Sequence, residues 1–158
     1  MAAAASRTYL QERVQRHYLE VLPSRWRAVL SRLAMNTQAW QRRDATPGGS
    51  ALADIHADFD LVSTLLEEEH NVYREGMDHL GCELTDGEAG GSQTSALRRL
   101  LHGMLACIAL KEVTIAHWKN SLLSIPPDTL RVYCHACIAH PHVCADDVKR
   151  VLATYSAP

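Results

Sequence analysis

Phenylalanine occurs once in 158 residues, and Val and Ile are sparse beside Ala and Leu. No strand-like alternation stands out, so the composition argues against a β-rich fold and for helix. No apolar run approaches the ~18 residues needed to cross a bilayer. "MAAAASRTYL" also lacks the apolar stretch of a secretory signal, so no membrane span is expected. The five cysteines make an odd number, and without such a signal they read as reduced thiols of an intracellular, cytoplasmic protein. H-E-x-x-H, G-x-S-x-G, P-loop and G-x-G-x-x-G motifs are all missing. One Glu67-x-x-His70 is present, whereas a di-iron bundle needs two such pairs and two further carboxylates. No cysteine or serine stands at a telling distance from a base. The chain is therefore expected to be no enzyme and to need no cofactor.

What is present is segmented charge. Residues 1–44 hold eight Arg, no Lys and three acids. Residues 45–91 hold one Arg and eleven acids, and residues 92–158 hold seven basic and four acidic residues. Basic and acidic segments of one bundle pattern this way when they lie against each other. A basic arm for an acidic partner is the other reading. Eight arginines interleaved with Tyr9, Tyr18, Trp26 and Trp40 have the chemistry for phosphates and bases. The net charge of −2 and the lack of any helix-turn-helix or finger pattern argue against nucleic acid. The same stretch also has the Arg- and Ala-rich look of a mitochondrial presequence, though Glu12 and Glu20 are out of place in one.

Helical spacing runs through the chain. Leu10, Val14, Tyr18 and Val21 predict a first helix from about Ser6 to Leu22. Pro23 interrupts it only as a kink, since Pro is tolerated in a first turn. Trp26, Val29, Leu30, Leu33, Thr37 and Trp40 continue the stripe, and "ATPGGS" reads as a loop. From about Ala51 to Leu80, positions Leu52, Ile55, Phe59, Val62, Leu66, Glu69, Tyr73, Gly76 and Leu80 alternate by three and four, a coiled-coil-like seam. Gly76 predicts a close approach by another backbone, and Gly81 a helix stop. Residues 82–94 read as a linker. Leu97, Leu101, Met104, Ile108, Lys111, Ile115, Trp118 and Leu122 mark the next helix, starting near Ser95. Leu100, Leu105 and Leu110 widen its apolar surface, which predicts the most buried helix. Asp128 is the expected N-cap of a following helix, Pro141 ends it, and "DDVKRVLATY" is the last. The expectation is an all-α, single-domain (1–158) helical bundle of five or six helices with coiled-coil-like long helices. Its parts are an Arg-rich 1–44, an acidic 51–81, a linker 82–94 and C-terminal helices in 95–158.

"YCHACIAHPHVC" places Cys134, Cys137, His140, His142 and Cys144 together. Zinc takes four ligands, usually as two separated pairs. Cys134 and Cys137 make one pair, but no second pair follows at the usual distance, and only Val143 separates His142 from Cys144. The two cysteines share a helix face with Leu130 and Ile138, where a thiol behaves as a small hydrophobe. The segment is read as the buried flank of a helix, with no metal.

"LLEEEHNVYREGMDHLG", Leu65 to Gly81, resembles a short helical pattern of ciliary and flagellar microtubule inner proteins: a leucine pair, an acidic stretch, a Tyr and a closing Gly. Leu65, Leu66, Glu67, Glu69, His70, Tyr73, Leu80 and Gly81 carry the match, over 17 of 158 residues. Gly76-Met77 stands where the pattern has Glu-Leu. The resemblance implies a structural role on the inner wall of axonemal microtubules, without catalysis. The Arg-rich half would suit tubulin's acidic surface by charge complementarity.

The expectation for function is a non-catalytic structural or interaction subunit of a larger assembly, with protein partners that include tubulin. Trp26, Trp40, Leu66, Tyr73 and Leu80 are the expected partner-binding residues. The favoured setting is cytoskeletal, in the axoneme of a cilium or flagellum. The alternative is a subunit or assembly factor of a mitochondrial or other multi-subunit complex.

Overall fold

The computed structural model describes residues 2–42, 50–85, 91–140 and 142–156, and every element among them is helical. Helix α1 (Ala2–Tyr9) passes directly into a π-helical stretch, Leu10–Val21, and that into α2 (Leu22–Arg42). Next come α3 (Ser50–Thr85), α4 (Gly91–Asn120), α5 (Pro127–Ile138) and α6 (Ala145–Ser156). The all-α bundle is as expected. Of the loop expected at "ATPGGS", Ser50 begins α3 and the rest lies outside the described residues, as do Pro141 and the middle of the expected 82–94 linker, whose two ends are helical, in α3 and α4.

Two compact units emerge. The first takes residues up to Leu22, Glu68–Ile108 and the chain from His140 on; the second takes Pro23–Glu67 and Ala109–Ala139. Each is thus four helical segments, and α3 and α4 contribute one half to each.

In the first unit the π-helical stretch follows from a strict four-residue repeat. Leu10, Val14, Tyr18 and Leu22 are all fully buried. An α-helix turns such a repeat by roughly 40° per step, so a plain α-helix would swing the row off the core. Wider i→i+5 turns bring it back, and the Leu22 N–H indeed donates to the His17 carbonyl, five residues behind. The row therefore closes on Leu22, and Val21, expected inside, is 37% exposed. Pro23 follows closely on the π-helical stretch inside a continuous helix, where it removes one main-chain donor next to the widened turns.

Gly76 is needed here, although for side chains and not for the backbone contact expected. A Cβ there would meet Leu101 Cδ2, and would stand 2.6 Å from the Tyr9 hydroxyl. That hydroxyl donates to the Val72 carbonyl at 2.6 Å. Gly81 does not end α3, which runs on to Thr85. The extra turn carries the buried Glu83, which accepts from Ser6 Oγ at 2.8 Å and from the Tyr155 hydroxyl at 2.7 and 2.9 Å. Those hydrogen bonds to a buried carboxylate outweigh the modest cost of Gly81 inside a helix. Gln93 Nε2 adds a bond from α4 to the Thr154 carbonyl of α6, 2.8 Å.

The second unit is centred on Trp118. Its Nε1 donates to Thr37 Oγ1 at 3.0 Å, and that hydroxyl donates to the Leu33 carbonyl at 2.7 Å. The Trp118 ring meets Phe59 edge-on at 6.4 Å and Tyr133 at 6.2 Å, so α2, α3 and α5 all converge on α4. Lys111 is fully buried, with its ammonium 5.0 Å from the centre of the Trp26 ring. Asp128 is not the N-cap of α5. Pro126 holds that place and Pro127 the first helical position, which leaves Asp128 in the first turn, paired with Arg131 and well placed for the helix dipole.

Candidate interaction surface

The five residues expected to meet a partner are not gathered into one surface. Trp26 is fully buried and Leu80 nearly so, so both serve the core. Trp40, Leu66 and Tyr73 are half-buried. Along α3 the buried row is Ile55, Phe59, Val62, Leu65, Glu69, Val72, Gly76 and Leu80. It takes Leu65 and Val72 where a strict heptad count takes Leu66 and Tyr73.

The segmented charge is partly consumed within the units. In the first, Arg13 Nε lies 2.7 Å from Glu75 Oε2, and His17 Nε2 lies 3.4 Å from Glu68 Oε2. In the second, Asp58 is buried and takes Arg32 Nε at 3.3 Å and Asn36 Nδ2 at 3.0 Å. Basic and acidic segments thus face each other, in pairs that contribute little where they are exposed.

The cysteine and histidine cluster of the sequence is divided. Cys137 is buried and Cys134 half-buried in the second unit, while His140, His142 and Cys144 belong to the first. Among the described residues no three His, Cys, Asp or Glu side chains gather as metal ligands do. Burial raises the Cys134 thiol above its ordinary pKa, the opposite of what a reactive thiolate needs. The His140 ring lies against Tyr18 at a tilt of 44°, with the ring centres 4.8 Å apart. Cys144 has a capping role: it precedes α6, and both its backbone N–H and its thiol donate to Asp147 Oδ2 at 3.2 Å. That is the back-reaching half of a capping box. It holds the Asp147 carboxyl below the usual carboxylate range.

Sequence reasoning placed α4 deepest in the core. In the second unit only one side of it is inside: Lys111, Thr114, Ile115 and Trp118 are buried. The other side exposes Ala109, Leu110, Val113 and Ala116. Val113 is 55% exposed and Leu110 37%. Ala109, Val113 and Ala116 follow at i, i+4 and i+7, one row on one face. Glu112, His117 and Lys119 are exposed beside it. Of this exposed strip, Leu110 is among the residues expected to widen the buried surface, as is Leu105, which is 41% exposed. By length and composition α4 alone among the described helices is apolar enough to cross a membrane, and the exposed strip is part of the reason.

No protein family, no curated protein and no solved structure matches this chain.

Proposed function

We propose that this chain is a non-catalytic interaction subunit of a larger protein assembly. The observation that carries the reading is the row Ala109, Leu110, Val113 and Ala116, apolar and exposed beside Glu112, His117 and Lys119. An apolar strip rimmed by polar groups is how partner surfaces are built. The assembly we favour is axonemal, on the inner wall of a ciliary microtubule, from the likeness of Leu65–Gly81 to that class of proteins. Arg16, whose side chain is 74% exposed, and the exposed Arg7 and Arg27 suit an acidic wall such as tubulin's.

The test is Leu110→Glu with Val113→Glu in a tagged copy expressed in ciliated cells. Both positions are exposed, so stability should move by no more than about 0.5 kcal/mol for each change. The wild-type chain should stay on detergent-extracted axonemes and the double variant should be released. Release of the wild type, or a mitochondrial signal with a trimmed N-terminus, sinks the axonemal setting. An unchanged set of co-purifying proteins for the folded variant sinks the interaction surface.

A further inference from the structure

The first unit contains a cleft of about 450 Å³ between the opening turns of α4 and one face of α6. This volume falls in the range of roughly 300–1,000 Å³ that small-molecule sites occupy. Two helix faces make it. Ser92, Ala96 and Leu100 follow one another every four residues on α4, while Asp147, Val151 and Thr154 line the α6 side.

The floor and the rim differ in chemistry. Leu100 and Val151 are both buried and, with Ala96, make the floor apolar. Arg99 and Arg150 stand exposed at the rim, with His142 at one end. Arg99 has no ion-pair partner among the described residues. Arg150 has Asp147, but at 3.8 Å and with its own side chain 80% exposed, and the other Asp147 oxygen is taken by Cys144. Two guanidiniums against one engaged carboxylate leave a positive excess.

We propose that this cleft binds an amphipathic organic anion, a carboxylate or phosphate carried on a short apolar body. The head group would lie between Arg99 and Arg150, whose planar forks match either oxyanion. The apolar body would cover Ala96, Leu100 and Val151. Neither part suffices: an inorganic anion leaves the floor wet, and a neutral chain leaves the arginines unmatched. This site is separate from the α4 row proposed above as the partner surface.

The probes are decanoate and decyl phosphate at monomeric concentrations, with decanol and inorganic phosphate as the half-ligands. Binding to the full chain is followed by calorimetry and by amide shifts. At least one of the two amphiphiles should bind at a single saturable site, shift Ser92, Leu100 and Val151, and weaken as salt rises. Which of them binds more tightly identifies the head group. Decanol and phosphate should each bind at least tenfold more weakly. Arg99→Gln with Arg150→Gln should cost at least tenfold in affinity with the helical circular dichroism intact. Ala96→Leu, which fills the floor and leaves both charges, should cost a similar factor. The proposal is overturned by decanol binding as well as the amphiphiles, by inorganic phosphate doing so, by either folded variant binding undiminished, or by no amphiphile binding at all.

Discussion

At the residue scale, three glycines inside helices do three different things, and only space distinguishes them. Gly76 makes room for the Tyr9 hydroxyl. Gly103 makes room for a backbone: a Cβ there would run into the carbonyl oxygen of His142, with Val143 Cγ2 at 3.1 Å. Gly81 has nothing within 4 Å. Gly81→Ala should therefore stabilise the protein by roughly 0.5–1 kcal/mol, the helix-propensity gain alone. Gly103→Ala should destabilise it by about 1–3 kcal/mol in spite of the same gain, because a backbone carbonyl cannot rotate away as a side chain can. Urea unfolding of the two variants checks both signs. Equal shifts would mean that His142 does not press on α4. From sequence, Gly76 was recognisable as a tight place and Gly81 read as a stop; nothing near Gly103 announced the loop that crosses it. Likewise, Cys144-x-x-Asp147 was hidden within a metal-like spacing, since a thiol at a helix start is an unusual cap.

At the element scale, the helices were legible because long periodic stretches of Leu, Trp and Tyr leave little choice. Their ends and faces were less so. The extra turn of α3 depends on Ser6 and Tyr155, which are 77 and 72 residues distant from Glu83, and no local signal carries such a bond. The π-helical stretch was visible only as a four-residue repeat, which an α-helical count fits to Val21 and the wider turns fit to Leu22. That difference is measurable. Leu22→Ala empties a fully buried site and should cost about 2–5 kcal/mol. Val21→Ala removes atoms that are partly in water and should change stability by about 0.5 kcal/mol or less. Thermal or urea unfolding of the pair decides it. A larger loss at Val21 would restore the plain α-helical register and with it the sequence reading.

At the scale of the whole molecule, the aromatic residues are distributed so that the two units carry different labels. All three tryptophans, Trp26, Trp40 and Trp118, lie in the second unit. The buried tyrosines Tyr9, Tyr18 and Tyr155 all lie in the first. Burial, then a nearby carboxylate, pushes each of these three hydroxyls far above its ordinary pKa: Glu75 beside Tyr9, Glu69 beside Tyr18, Glu83 bonded to Tyr155. An unfolded chain gives up those protons near pH ~10, while the folded chain keeps them. The stability they represent is therefore fully present below that pH and is lost as pH rises above it. The part of the loss that these three carry originates in the first unit, and the Cys134 thiol, also raised by burial, acts in the same sense in the second. In an alkaline titration, the tyrosinate absorbance of these three side chains should appear together with the loss of helical signal, later than that of free tyrosine, as the protein unfolds. The tryptophan emission shift should come with them or after them. Tryptophan emission that moves first would place the alkaline weakness in the second unit, against the positions of these three side chains.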